Sequence, residues 1–327
     1  MTIAAPARRG PGTRSLRTVL RAHYYLLALV IAVVLYLVAS ASLGSPLGPD
    51  KLAIFAPLIL AAMASTPAIL SGGGGIDLSI GPNLVLANIL FVGVFVPNGV
   101  PPWMGVVLVV LISGAVGALG GALSVALRLS PVVVTLAMYF VLIGVNQKLA
   151  PTPLVLPDNP LRGFATLWGG VFPGALVLIL VPLLGWAIAA RSRAGRTLLA
   201  VGGSAATAFS AGVNVSLARV AAFAFGGLIA GLGGVALTAL ISSADAGTSS
   251  AYTLVAIAAV ALGGTSMLGG RGGLLGSAIG ALCVSLIQSV LSGLQLPSSL
   301  LKVVYGGLLL ASIVLSAVLM SSRKDPR

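Results

Sequence analysis

The chain is 327 residues long, 58% hydrophobic and only 7% charged, with a mean hydropathy of +1.14. Soluble domains carry about 25% charged residues, so this composition excludes a soluble globular domain and points to one polytopic membrane domain with no sizeable soluble module. Eighteen Lys and Arg face five acids, none of them Glu; such a balance could mark a nucleic-acid binder, but these basic residues fall between apolar runs, mostly in alternate gaps, which is a topology signal, and no nucleic-acid partner is expected.

In chain order, residues 1–22 read as a basic cytoplasmic arm carrying Arg8, Arg9, Arg14, Arg17 and Arg21, with His23 at the membrane edge. The apolar run that follows is about 20 residues, long enough to span, whereas a signal-peptide core has about 7–15. Residues 23–321 then read as an all-α transmembrane bundle of about ten spans, and 322–327 as a cytoplasmic tail. The spans are placed at 24–43, 52–70, 78–96, 104–127, 131–149, 172–190, 219–241, 252–269, 273–293 and 301–320. With the N-terminus inside, fourteen of the 18 basic residues lie on the inner side, among them Arg128, Arg191, Arg193, Arg196, Arg219 and Arg271. Only Lys51, Lys148, Arg162 and Lys302 lie outside. That asymmetry places both termini in the cytoplasm of a cell-membrane protein. Five spans starting inside and five starting outside would make an inverted repeat, as in many transporters, although the two halves are too dissimilar in sequence to assert one.

Two connections are long. Residues 150–171 are outside and rich in proline (Pro151, Pro153, Pro157, Pro160), which fixes φ and resists helix; the segment reads as a stiff lid or docking surface. Residues 191–218 are inside, begin RSRAGR, and have an Ala-rich middle suited to a short helix. A partner would push there.

Glycine is abundant, at 43 residues. The pairs Gly117–Gly121, Gly227–Gly231 and Gly276–Gly280 have the small-xxx-small spacing of close helix contacts. The stretch SGGGGIDLSIGPN (71–83) is different, because five glycines between 72 and 81 disfavour a continuous helix. Irregular backbone at membrane depth needs protein or a wet cavity beside it. Two compatible readings are open for Asp77: a cap for the third span, acting on N–H groups near Ser79 and Ile80, or a polar contact or hinge in a translocation route. A second glycine-rich stretch, 262–276, lies on the same side, and the two are expected to face each other at the inner mouth.

No acid, Lys, Arg or His falls near the middle of a span, which counts against proton coupling. The polar residues within spans are mild: Asn83, Asn88, Thr135, Tyr139, Asn146, Gln147 and Gln288. They suit either a neutral polar solute or helix–helix hydrogen bonds. One His, the single Cys283 and the lack of Glu leave no parts for zinc, paired-carboxylate or Cys–His chemistry, and no Gly–Lys pair exists for a phosphate loop. No metal and no catalytic site is expected. ATP, if it is used, binds another chain.

Five segments in order carry a family resemblance. GGGIDLSIG (73–81) resembles the GGIDLSVG of sugar-type ABC importer permeases, the ribose/arabinose/autoinducer-2 group. LSPVVVTLAM (129–138), GRTLLAVGGSAATAFSAGVNV (195–215), FAFGGLIAGLGGVAL (223–237) and the block 243–282 resemble further family segments. The resemblance, which runs from about 50 to 315, implies a permease subunit for a monosaccharide or similar small polar solute, paired with a second permease subunit in a homo- or heterodimer. It implies a separate cytoplasmic ATPase that binds ATP and Mg, an extracytoplasmic solute-binding protein, and surrounding membrane lipid. It places an ATPase-coupling helix within 191–218, with Gly202, Gly203, Ser204, Ala206, Gly212 and Asn214 at or near it. Ser204, Ala206 and Phe209 stand where the family has Asn, Glu and Arg, which implies a less polar ATPase contact. Thr253 and Val255 replace a Glu and an Asp. Gate candidates are Asp77, Ser79, Asn83, Asn88, Thr135, Tyr139, Asn146 and Gln288; receptor-facing candidates are Asp158, Arg162, Asp245 and Tyr252. A branched-chain amino-acid or nucleoside permease of the same superfamily is the alternative within the class. A secondary carrier or channel is the alternative outside it.

Overall fold

The computed structural model describes residues 25–42 and 47–294, with a few isolated positions beyond 300. The expected arm 1–22, His23, the tenth span (301–320) and the tail 322–327 lie outside the described residues. Among the described residues eleven α-helices follow one another: α1 Tyr25–Ser42, α2 Leu52–Leu70, α3 Ile80–Ile89, α4 Pro102–Ala126, α5 Pro131–Leu149, α6 Ala175–Arg191, α7 Arg193–Gly203, α8 Ala205–Ser210, α9 Val215–Ile241, α10 Thr253–Leu262 and α11 Leu274–Gly293. The chain is an all-α, multi-pass membrane protein. Among the described residues five helical stretches are long and apolar enough to cross a bilayer, and the α6–α7 pair, bent by 81°, makes a sixth if counted as one span.

Two expected spans are shorter: the third is helical over Ile80–Phe95 with a π-helical end from Leu90, and the eighth over Ala246–Leu262 with a 3₁₀ first turn. Glycine sets two of the breaks. Gly72, Gly73 and Gly74 all have positive φ, and so do Gly264, Gly269, Gly270 and Gly272, a conformation that only glycine adopts without steric cost. The eighth helix therefore stops at Leu262 instead of running to 269.

The core is organised around α2. Of the 19 residues from Leu52 to Leu70, all but Leu52 and Ile54 are buried, with α9, α10, α11 and α6 around them. An apolar helix enclosed on all sides is what a hydrophobic stretch without an amphipathic stripe predicts. α9 is the second hub and packs most extensively on α4. The contact is backbone against backbone: a Cβ on Gly227 would overlap Ser113 O, one on Gly231 would lie 2.7 Å from Val110 Cα, and one on Gly117 would overlap Phe223 O. The small-xxx-small pairs at 117–121 and 227–231 thus face one another, letting two helices touch where side chains would hold them apart.

At one end of the bundle the segment 150–173 is folded against the helices. β1 (Leu154–Val155) pairs antiparallel with β4 (Ser243–Ala244), and β2 (Leu167–Trp168) with β3 (Phe172–Pro173). The β2–β3 turn carries Gly169 and Gly170, both at positive φ and with open space around them. Asn159 fixes the segment: its Nδ2 donates to Thr238 O (2.8 Å) and Ser242 Oγ (3.0 Å) at the end of α9. Prolines alone suggest stiffness; this amide supplies an anchor.

Candidate functional site: a glycine loop and a paired helix at one end of the bundle

The break between α2 and α3 holds Asp77, which is 2% exposed. Its Oδ1 accepts from Ser79 N–H (2.9 Å) and from Ser79 Oγ (2.6 Å). The carboxylate therefore does close a turn at the start of α3, on Ser79 rather than on Ile80. Neighbouring helices hold the backbone on either side. Thr135 Oγ1 of α5 accepts from Leu78 N–H (3.1 Å) and donates to Ile76 O (3.2 Å), and Thr253 Oγ1 at the start of α10 donates to Leu78 O (3.3 Å). Three candidates, Asp77, Ser79 and Thr135, thus meet in one loop, joined by Thr253, which was not among them.

The other polar candidates run along α3 as ties. Asn83 Nδ2 donates to Ser113 O of α4 (3.0 Å). Asn88 Nδ2 donates to Thr238 Oγ1 of α9 (2.8 Å) and to Ser243 O (2.9 Å). Asn146 Nδ2 of α5 donates to Pro82 O (2.9 Å) and to Ser249 Oγ (3.0 Å). All three amides are buried, and each leaves its Oδ1 without a protein partner among the described residues. Tyr139 is half-buried on α5, edge-on to Phe140. Gln288 is half-buried on α11, which packs chiefly on α1, α2 and α10, so the fold does not bring it into this set.

Residues 191–218 are not an open loop. Ser192 caps α7 through Gly195 N–H (3.5 Å), Ser204 caps α8 through Thr207 N–H (3.3 Å), and Asn214 caps α9 through Leu217 N–H (2.9 Å). Short polar residues ahead of each helix are what its free N–H groups require. Gly195, Leu198 and Val201 of α7 are buried on one face, while Arg193 and Arg196 are exposed. Gly203, Ser204, Ala206, Gly212 and Asn214 are exposed, and Phe209 is 74% exposed. α8 is the short helix expected from the Ala-rich middle; α7 was legible only in the three-residue spacing of its buried face and the serine before it. α9 starts at Val215, about one turn ahead of the expected 219.

The α7 end also holds the junction of the glycine-rich segments. Gly270 N–H donates to Leu70 O (3.0 Å), and Gly202 lies against Leu70 and Gly270. Arg219 of α9 covers Gly73, where a Cβ would come 2.5 Å from Nη2. At the opposite end, Asp158 and Arg162 are exposed on the anchored segment, beside a cleft that they line with Pro157, Asn159 and Pro160. Asp245 uses its Oδ1 to cap the 3₁₀ turn through Gly247 N–H (2.8 Å), and Tyr252 is half-buried next to α10.

Comparison with known proteins fits this arrangement. The family model for the permease component of branched-chain amino acid transport systems matches residues 50–313. The chain is 33% identical to the ribose import permease protein of Bacillus subtilis over 277 residues, 81% of each chain. It is 32% identical to the D-allose transport system permease protein of Escherichia coli, over 75% of this chain and 76% of that one. It is 29% identical to the fructose import permease protein of Bifidobacterium longum, over 83% and 82%. No solved structure matches the chain. The family model covers most of the chain, and the ribose permease relative is 33% identical over 81% of it, so the chain is a member of this family of transport-system permease components.

Proposed function

We propose that the chain is the membrane permease subunit of an ATP-driven importer of the ABC class, carrying a monosaccharide or similar small polar solute. The observation that carries this reading is the capped, surface-lying α7–α8 pair, with the last turn of α7 set on the backbone at Leu70 and Gly72, where the loop to α3 begins. A partner that pushes on α7 pushes on the backbone that starts α3. The relatives named for ribose, allose and fructose import support a sugar over an amino acid.

In this reading the chain crosses the membrane about ten times with both termini in the cytoplasm. The placement of Arg128, Arg191, Arg193, Arg196, Arg219 and Arg271 at the α7 end, and of Lys51, Lys148 and Arg162 at the other, supports that sidedness. A second permease subunit and lipid cover the exposed apolar faces of α4, α5 and α6, where Leu111, Leu119, Phe140, Val141, Leu184 and Ile188 lie. A cytoplasmic ATPase that holds ATP and Mg docks on α7–α8, with exposed Phe209 taking the place of a charged contact. An extracytoplasmic solute-binding protein docks on the opposite end, by Asp158 and Arg162. Asp77, Ser79 and Thr135 form a hinge at the start of α3, and Asn83, Asn88 and Asn146 keep α3 in register with α4, α5 and α9. The hinge moves the helices between outward- and inward-open states, and no ion gradient is used.

Affinity capture from native membranes in mild detergent, with mass spectrometry of the co-purifying chains, tests this. A stoichiometric ATPase and a solute-binding lipoprotein are expected. A homo-oligomer with neither, reproduced after cross-linking, would overturn the proposal in favour of a secondary carrier or channel.

A further inference from the structure

Three backbone segments meet at the α7 end with no side chain between them. A Cβ added to Gly202 would overlap Leu70 O and come within 2.6 Å of Gly270 N. One on Gly72 would lie 2.8 Å from Gly202 O, one on Gly269 2.5 Å from Gly72 Cα, and one on Gly270 2.7 Å from Gly203 N. Gly72, Gly269 and Gly270 have φ of +70°, +92° and +71°. The Gly203 backbone also borders Gly270, but its own Cβ would enter open space, so of the two glycines it is position 202 that excludes a side chain.

We infer that Gly202 is a positioning residue that locks the last turn of α7 to the 70–74 and 269–272 backbones, so that the three segments move as one body. The inference rests on the proposed ATPase docking at α7–α8 and names the route by which that force reaches the hinge. Side chains absorb displacement by changing rotamer, whereas packed backbones have discrete arrangements and pass displacement on. From Gly72 the route to Asp77 is short and hydrogen-bonded: Gly75 N–H donates to Gly72 O (3.1 Å) and Ile76 N–H to Gly74 O (2.7 Å). Thr135 then carries the displacement into α5 through Ile76 and Leu78. Proximity is not coupling, so the test must separate force transmission from folding.

The test uses the assembled transporter, permease with ATPase and solute-binding protein, in proteoliposomes. Uptake is measured with whichever of radiolabelled D-ribose, D-allose and D-fructose the wild type takes up, alongside ATP hydrolysis stimulated by the binding protein. A wild type that shows no stimulated hydrolysis refutes the importer reading itself, before any variant is examined. For Gly202→Ala the expected result is uptake lowered about tenfold with stimulated hydrolysis retained, a coupling loss of ordinary size. Gly185→Ala on α6, whose Cβ would meet only Phe225 ring atoms at 3.8 Å, should leave the ratio of ATP hydrolysed to solute moved unchanged. A parallel fall of uptake and hydrolysis in Gly202→Ala, or no fall in either, overturns the inference. If Gly202→Ala does not assemble, spin labels on Ala200→Cys and Leu268→Cys, both exposed sites, report on the intact junction. Their separation should stay constant between nucleotide-free and ATP-trapped transporter. A shift approaching one helical turn, ~5 Å, overturns the rigid-body inference.

Discussion

Asp77 is a buried carboxylate with no basic partner among the described residues, where the ion pair is the exposed Lys51–Asp50. What holds it is Ser79, through one N–H and one hydroxyl. A neutral acceptor of the same shape can serve the N–H equally well, since Asn and Asp are comparable at such positions, while Ala costs about 1 kcal/mol. Asp77→Asn is therefore expected to keep most of the uptake at normal membrane levels, and Asp77→Ala to lose several-fold. Equal loss in both would show that charge, not the turn, is the working feature. The same comparison shows what the sequence reveals at this scale. Asp77, with Ser79 two residues on, advertises a turn at a helix start. Its clamping by Thr135 and Thr253 joins residues far apart in the chain, and no local pattern reports that.

Helices whose glycines face a neighbouring backbone are the least tolerant elements. Gly227→Ala would push a methyl into Ser113 O, and overpacking of this kind costs about 1–3 kcal/mol. Thermal unfolding in detergent is expected to occur several degrees lower for Gly227→Ala and unchanged for Gly185→Ala. The α4–α9 contact was legible because both helices carry the small-xxx-small spacing and an apolar run of full length. The shorter third and eighth helices were overextended for the opposite reason: hydropathy continues through residues such as Met267 and Leu268, although Gly263 and Gly264 have already turned the chain. The α7–α8 pair yields a separate expectation. Phe209 is large, apolar and exposed on a six-residue helix, so Phe209→Asp should weaken co-purification of the ATPase at least tenfold, about 1.4 kcal/mol or more, with the permease still folded. Retained ATPase at wild-type yield would place the contact elsewhere.

At the scale of the whole molecule α9 is the longest link between the two ends. α9 has 27 residues, about 40 Å long; its start is covered by α7 and α8, and its end is tied to the 150–173 segment by Asn159. Composition made the membrane class readable from sequence. The enclosure of α2 was not, because an apolar helix facing protein and one facing lipid have the same hydropathy. The turn at Gly169 and Gly170 has a practical consequence. It protrudes from a segment held rigid by its own hydrogen bonds, and neither glycine has a neighbour within 4 Å of an added Cβ. A short antibody epitope spliced between them should leave solute uptake intact and be labelled on whole spheroplasts without permeabilisation, whereas labelling only after lysis would turn the protein the other way up in the membrane.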